Sequence, residues 1–208
     1  MSEAIRQWLY PLGFISTVVF FVRMLLQWIK SESLGRSHVT RGFWQLSIIG
    51  NCLLALHAFI QLQFHVYIVQ VCNAHFAGRN LTLNRQISTK KNLTLLAVNL
   101  TLATFAFYLQ ASGQWFRTPF PLDYTIGIGW HLFGFFGIAL FNSRFLVQWW
   151  HAETHKVSVL SKAFWQISLI GELICLIYFL KIRDPVNLIG PAFAMIPYAR
   201  NLILLKSR

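Results

Sequence analysis

The chain is poor in acid. Only 6 of its 208 residues are Asp or Glu, against 18 Lys and Arg, and charged residues of both signs make up 12%. Soluble domains carry about 25%. With 56% hydrophobic residues and a mean hydropathy of +0.53, this scarcity places the chain in the membrane class. The net charge of +12 does not indicate nucleic-acid binding, because the cations sit in short clusters between apolar runs, as in cytoplasmic loops. Cysteine is also scarce. Cys52, Cys72 and Cys175 lie in apolar segments without paired spacing, which reads as small buried hydrophobes. A phosphate-cradling glycine loop, a G-x-S-x-G elbow and the aspartate pair of a glycosyltransferase or kinase are all missing, so the chain yields no catalytic residue and no cofactor. The first apolar run has Glu3 and Arg6 before it, Arg23 inside it and no small-residue cleavage site, so it reads as a retained span.

A membrane span needs about 20 mostly apolar residues. Seven candidates cover residues 10–30, 43–62, 65–83, 93–112, 126–150, 164–181 and 185–205. Thr40 and Ser161 stand where they can cap spans two and six, and Asp184-Pro185 puts a capping acceptor and a first-turn proline at the head of span seven. One set of loops is basic: Lys30, Arg36 and Arg41, then Arg79, Arg85, Lys90 and Lys91, then Lys156 and Lys162, with Lys206 and Arg208 in the tail. The other side holds Arg6, Arg117, Lys181 and Arg183. The positive-inside rule predicts an N-terminus outside and a C-terminus in the cytoplasm.

A shift of 121 residues aligns the two ends of the chain without a gap, and between Phe20 and Gly50 it leaves 13 of 31 positions identical. Arg23, Gln27, Trp28, Glu32, Ser37, Phe43, Trp44, Gln45, Ser47 and Gly50 correspond to Arg144, Gln148, Trp149, Glu153, Ser158, Phe164, Trp165, Gln166, Ser168 and Gly171; Arg79-Asn80-Leu81 returns as Arg200-Asn201-Leu202. Three spans reverse the chain direction and a fourth restores it. The expected fold is therefore all-α and integral to the membrane: seven transmembrane helices as two parallel three-helix repeats joined by a connector helix, 3+1+3. The repeats fall at 1–87 and 126–208, with linker and connector at 88–125.

Arg23 and Gln27 share one helix face, and Arg144 and Gln148 another. Arginine at mid-helix costs about 2.5–3.5 kcal/mol on insertion scales. Both lie about 10 Å by helical rise from the cytoplasmic end, so three readings stand open: snorkelling to the interface, an inward-facing site for an anion or headgroup, and a structural pair. Glu172, one turn past Ser168, is expected to pair with Arg144. Asn51 takes its place in the first copy, which leaves Arg23 the less compensated charge. Gln45 and Gln166 join the candidate headgroup residues as hydrogen-bonders at the cytoplasmic ends of spans two and six. Trp44 and Trp165 beside them read as interfacial anchors, and Ser47/Gly50 and Ser168/Gly171 as small packing faces. Glu32 and Glu153 are expected to bridge to loop lysines. His151 and His155 have i, i+4 spacing but no further ligand to complete a set, so no metal site is read.

The motifs R-x-x-x-Q-W, F-W-x-x-S-x-x-G, D-P-V-x-x-x-G and Y-x-R-N-L resemble the lipid A biosynthesis N-terminal domain family, the membrane region preceding the catalytic part of some lipid-A-disaccharide synthases. The second copy carries the fuller match, through Asp184, Pro185, Val186, Gly190, Tyr198, Arg200 and Asn201; the first lacks the Asp-Pro and the tyrosine. The resemblance adds Tyr198, Arg200 and Asn201 to the candidate site. It implies a membrane protein of envelope lipid biosynthesis that binds or translocates a phosphorylated or lipid-linked saccharide, non-catalytic by itself. A membrane subunit of the synthase, with a soluble glycosyltransferase as partner and the catalytic domain elsewhere, is the alternative, and a structural scaffold is the third. More distantly, the span pattern is similar to SWEET and PQ-loop transporters. Two departures are visible: Pro191 stands where the family has a glutamine, and no Pro-Gln dipeptide precedes either repeat's tryptophan.

Overall fold

The computed structural model describes residues 2–35, 39–83, 87–118, 120, 122–155 and 160–206. Arg36, Ser37, Arg85, Lys156, Ser158 and Arg208, used above for loop charge and repeat, lie outside the described residues, as do Asn84 and Gln86 of the linker. The described residues form eight helices: α1 (Glu3–Leu9), α2 (Leu12–Leu34), α3 (Arg41–Gln61), α4 (Phe64–Leu81), α5 (Thr89–Ala111), α6 (Ile128–His155), α7 (Lys162–Lys181) and α8 (Pro185–Lys206). Pro11, which has no backbone N–H to donate, marks the break between α1 and α2.

Among the described residues, five segments are long and apolar enough to cross a membrane: Glu3–Leu34, α3, α5, α6 and α7. Helix α4 is not one of them, and its polar residues face protein: Asn73, Arg79 and Asn80 are all buried, as are Asn187 and Asn201 on α8. A helix enclosed by neighbours can be polar where a lipid-facing one cannot.

The anticipated caps form. Thr40 Oγ1 accepts from the Phe43 amide at 3.2 Å, Ser161 Oγ from the Phe164 amide at 3.3 Å, and Asp184 Oδ1 from the Asn187 amide at 3.3 Å. Ser88 caps α5 in the same way, through the Lys91 amide. Helix α3 packs on α2 and α4, and α7 packs on α6 and α8; α2 meets α8, α4 meets α6, and α5 lies against α4. Small residues allow the closest approaches. A Cβ on Gly50 would stand 2.7 Å from the Phe20 ring, and one on Gly171 would stand 2.6 Å from the backbone of Phe141.

Where α2–α4 meet α6–α8, an aromatic core forms from Phe43, Trp44, Phe76, Phe145, Trp149, Phe164, Trp165 and Tyr198. Trp44 and Trp165 are 3% and 2% exposed, which corrects their reading as interfacial anchors: the tryptophans fill this contact instead. The cysteines are free, and only Cys175 is fully buried; Cys72 is half-buried and Cys52 exposed, so the reading of three buried thiols holds for one.

Candidate functional site: a cavity between two arginines

Arg23 on α2 and Arg144 on α6 are buried, and both line a single cavity of about 370 Å³ at the meeting of the two helix triplets. Each guanidinium is clamped by rings in the same arrangement. Arg23 lies 5.0 Å from the centroid of Phe20, one turn back on its own helix, and 4.9 Å from Phe43 at the start of the next. Arg144 lies 3.4 Å from Phe141 and 5.5 Å from Phe164, the residues 121 positions later, with Phe145 and Tyr198 closing the cage. Cation–π contacts of this kind are worth about 2 kcal/mol when desolvated. They hold a charge in an apolar setting and leave its N–H donors available.

Few of those donors are used. Arg23 Nη1 donates to Ser47 Oγ at 3.1 Å and Arg144 Nη1 to Tyr198 Oη at 2.9 Å, while both Nε atoms are buried without a partner. A guanidinium has five N–H donors in a planar fork suited to carboxylate and phosphate. The expected Arg144–Glu172 ion pair does not form. Arg144 turns to Tyr198, and Glu172 lines the same cavity with Oε2 buried and unpartnered. Asn51 lines the cavity opposite the first arginine, as its position relative to Glu172 suggested.

Of the eleven candidate residues, the cavity brings together Arg23, Asn51, Arg144, Glu172 and Tyr198. Gln27 and Gln148 are buried but join the two triplets to each other. Gln27 Nε2 donates to Asn201 Oδ1 at 3.2 Å, and Gln148 exchanges two bonds with Asn80, at 2.7 and 3.0 Å. Gln45 and Gln166 are exposed, pointing away from the cavity, because Phe43, Trp44, Phe164 and Trp165 occupy the inward face of that first turn. Arg200 pairs with Glu32 at 2.6 Å, and Arg79 with Glu153. The two glutamates therefore meet arginines of the opposite triplet, which corrects their assignment to loop lysines: an arginine fixed on a neighbouring helix holds a bidentate geometry that a loop lysine cannot. His151 and His155 stack, ring centroids 4.2 Å apart.

Sequence reasoning missed Gln70, Asn73, Asn142 and Asn187, which also line the cavity. The available signal was the run of polar residues inside otherwise apolar spans, and for Gln70 its place 121 positions before Pro191. Beside Asn187, near the α3–α4 turn, the Asp184 carboxylate accepts from Tyr10 Oη at 2.8 Å, Gln63 Nε2 at 2.7 Å and Asn187 Nδ2 at 2.8 Å.

The Lipid A Biosynthesis N-terminal domain matches residues 12–82 and again residues 133–203. The chain belongs to that family. Among curated relatives it is 35% identical over 202 residues to a lipid-A-disaccharide synthase of Chlamydia pneumoniae, covering 94% of this chain and 33% of the relative. It is 35% identical over 212 residues to that of Chlamydia abortus and 34% over 212 residues to that of Chlamydia felis, covering 96% of this chain and 34% of the relative in both cases. The chain thus spans about a third of the length of the curated relatives it matches. No solved structure matches it. Family membership and these relatives are consistent with a part in lipid A biosynthesis.

Proposed function

We propose that this membrane protein of lipid A biosynthesis binds, and moves across or presents within the bilayer, a lipid carrying a phosphorylated or saccharide headgroup, without catalysing a reaction itself. One observation carries the reading: two buried guanidinia with unused donors converge on one cavity. Snorkelling arginines would reach the interface, and a purely structural pair would spend its donors on protein. A cavity of this size, mostly apolar with a few convergent polar groups, has the character of a small-ligand site. Two arginines against one carboxylate suit an anion, and Asn51 and Tyr198 add hydrogen-bonding groups for hydroxyls. The architecture proposed with it is two parallel three-helix units joined by α5, spanning a bacterial inner membrane with the N-terminus periplasmic and the C-terminus cytoplasmic. Native mass spectrometry of detergent-purified protein tests the reading. A phosphate-bearing lipid should accompany wild type and be lost from a folded Arg23→Gln/Arg144→Gln variant; equal retention by both would sink it.

A second reading is favoured by the relatives, whose printed name is that of a synthase and whose length extends well past the matched region. In it the chain presents the lipid to a glycosyltransferase partner. Both readings use the same cavity, and they part on one observation: whether adding a soluble synthase to the purified protein in nanodiscs yields a stable complex.

A further inference from the structure

The two seams that join the triplets are built from corresponding residues, yet they are not closed equally. Along α4 and α6 the polar contacts are Arg79 with Glu153, Asn80 with Gln148, and Asn73 with Asn142. Along α2 and α8 the first two have counterparts in Glu32 with Arg200 and Gln27 with Asn201. The third does not. Phe21 and Ala194 stand at the positions 121 residues from Asn142 and Asn73, so the seam has no polar latch there. The next contact along it is from Thr17 to the Val186 carbonyl, at 3.5 Å. Between these contacts the seam is apolar, and it is closed there only by the edge of the Phe21 ring against the Phe193 ring, centroids 6.2 Å apart.

The cavity wall is most exposed at that contact. Its most exposed lining residues are Val18 (60%), Phe21 (43%) and Phe193 (56%), all on α2 or α8, whereas Val66, Asn73 and Ile138 at the α4–α6 seam are buried. Gly190, also lining the cavity, has open space where a side chain would stand. The ion pair at one end of this seam, Glu32–Arg200, is half-exposed, while Arg79–Glu153 is buried.

We infer that the apolar α2–α8 seam, closed by Phe21 against Phe193, is a lateral portal to the bilayer, through which a single hydrocarbon chain of an anionic amphiphile leaves the cavity as the two rings part, while its phosphate rests between Arg23 and Arg144. The inference rests on the headgroup reading above and adds the form of the ligand and its route. A charged group needs the enclosed arginines, an alkyl chain needs lipid or apolar wall, and only the α2–α8 side supplies both in continuity. The ligand class is a phosphate monoester or diester of a long-chain alcohol or acylglycerol, entering from the membrane and not from water.

The test uses the full chain in nanodiscs with dodecyl phosphate bearing a chain-terminal diazirine, and maps the adducts by peptide mass spectrometry. The portal predicts adducts on Val18, Phe21, Ile189 or Phe193, lost in Arg23→Gln/Arg144→Gln. Adducts confined to α4 and α6 and lost in that variant would overturn the portal and leave the headgroup site standing. Adducts unaffected by the variant would overturn the headgroup reading and the portal with it. Gly190→Trp, whose Cβ would meet no atom within 4 Å, should weaken dodecyl phosphate binding at least tenfold while the melting temperature stays at the wild-type level. Unchanged dodecyl phosphate binding in this variant would contradict the portal.

Discussion

At the scale of single residues, Asp184 and Glu172 are two buried carboxylates with opposite circumstances. Asp184 is fully buried and saturated by Tyr10, Gln63 and Asn187. Asp184→Ala strands several buried donors and is expected to cost about 3 kcal/mol, since each unsatisfied group carries about 1–3 kcal/mol. Thermal unfolding in detergent would check it, and a melting temperature like wild type would show that the network is not structural. Glu172 has no ion pair to lose, so Glu172→Gln should change stability by about 1 kcal/mol or less. A large loss of melting temperature would mean that Glu172 does hold Arg144 in place. The sequence made both residues visible as acids within apolar runs. It could not tell them apart, because the difference lies in partners: Gln63 stands 121 residues from Asp184, whereas Arg144, expected beside Glu172, faces Tyr198.

At the scale of helices, the approach of α7 to α6 and of α3 to α2 depends on glycine. The two contacts differ in what a methyl group would meet. On Gly171 it would press into the Phe141 backbone, and on Gly50 into the edge of the Phe20 ring. Backbone yields less readily than a ring. Gly171→Ala is therefore expected to destabilise by about 1–3 kcal/mol and Gly50→Ala by less, a ranking that parallel melts would reverse if the packing account were wrong. Helix positions, their caps at Thr40, Ser161 and Asp184, and these small faces were legible because each depends on residues within a few positions of one another. The inward turning of Trp44 and Trp165 was not. An interfacial tryptophan and a buried one carry the same local sequence, and only partners distant in sequence, Phe145 for Trp44 and Tyr198 for Trp165, distinguish them.

At the scale of the molecule, two ion pairs tie the triplets together. Arg79–Glu153 is buried, with side chains 2% and 4% exposed, and Arg200–Glu32 is not. Arg79→Ala removes a buried, bidentate partner of Glu153 and should cost up to about 3–5 kcal/mol. Arg200→Ala should leave the melting temperature near wild type, because an exposed pair is screened by solvent. Equal losses would show that both seams are sealed alike. The arginine–glutamine spacing and the 121-residue shift made the doubled position of Arg23 and Arg144 legible, but left snorkelling, an inward-facing site and a structural pair all open. The pairing of Gln27 with Asn201 and Gln148 with Asn80 lay beyond sequence reading, since each bond crosses from one triplet to the other.

The central claim is that the cavity between Arg23 and Arg144 holds a phosphate-bearing lipid. A photoreactive benzoylphenylalanine placed in a cell-expressed chain at Leu54, on the cavity wall, addresses it most directly, with the exposed Gln45 position as control. The account predicts a phosphorus-containing lipid adduct at Leu54 that is lost in Arg23→Gln/Arg144→Gln, and none at Gln45. Adducts of equal yield at both positions, or an adduct at Leu54 that survives loss of both arginines, would contradict it.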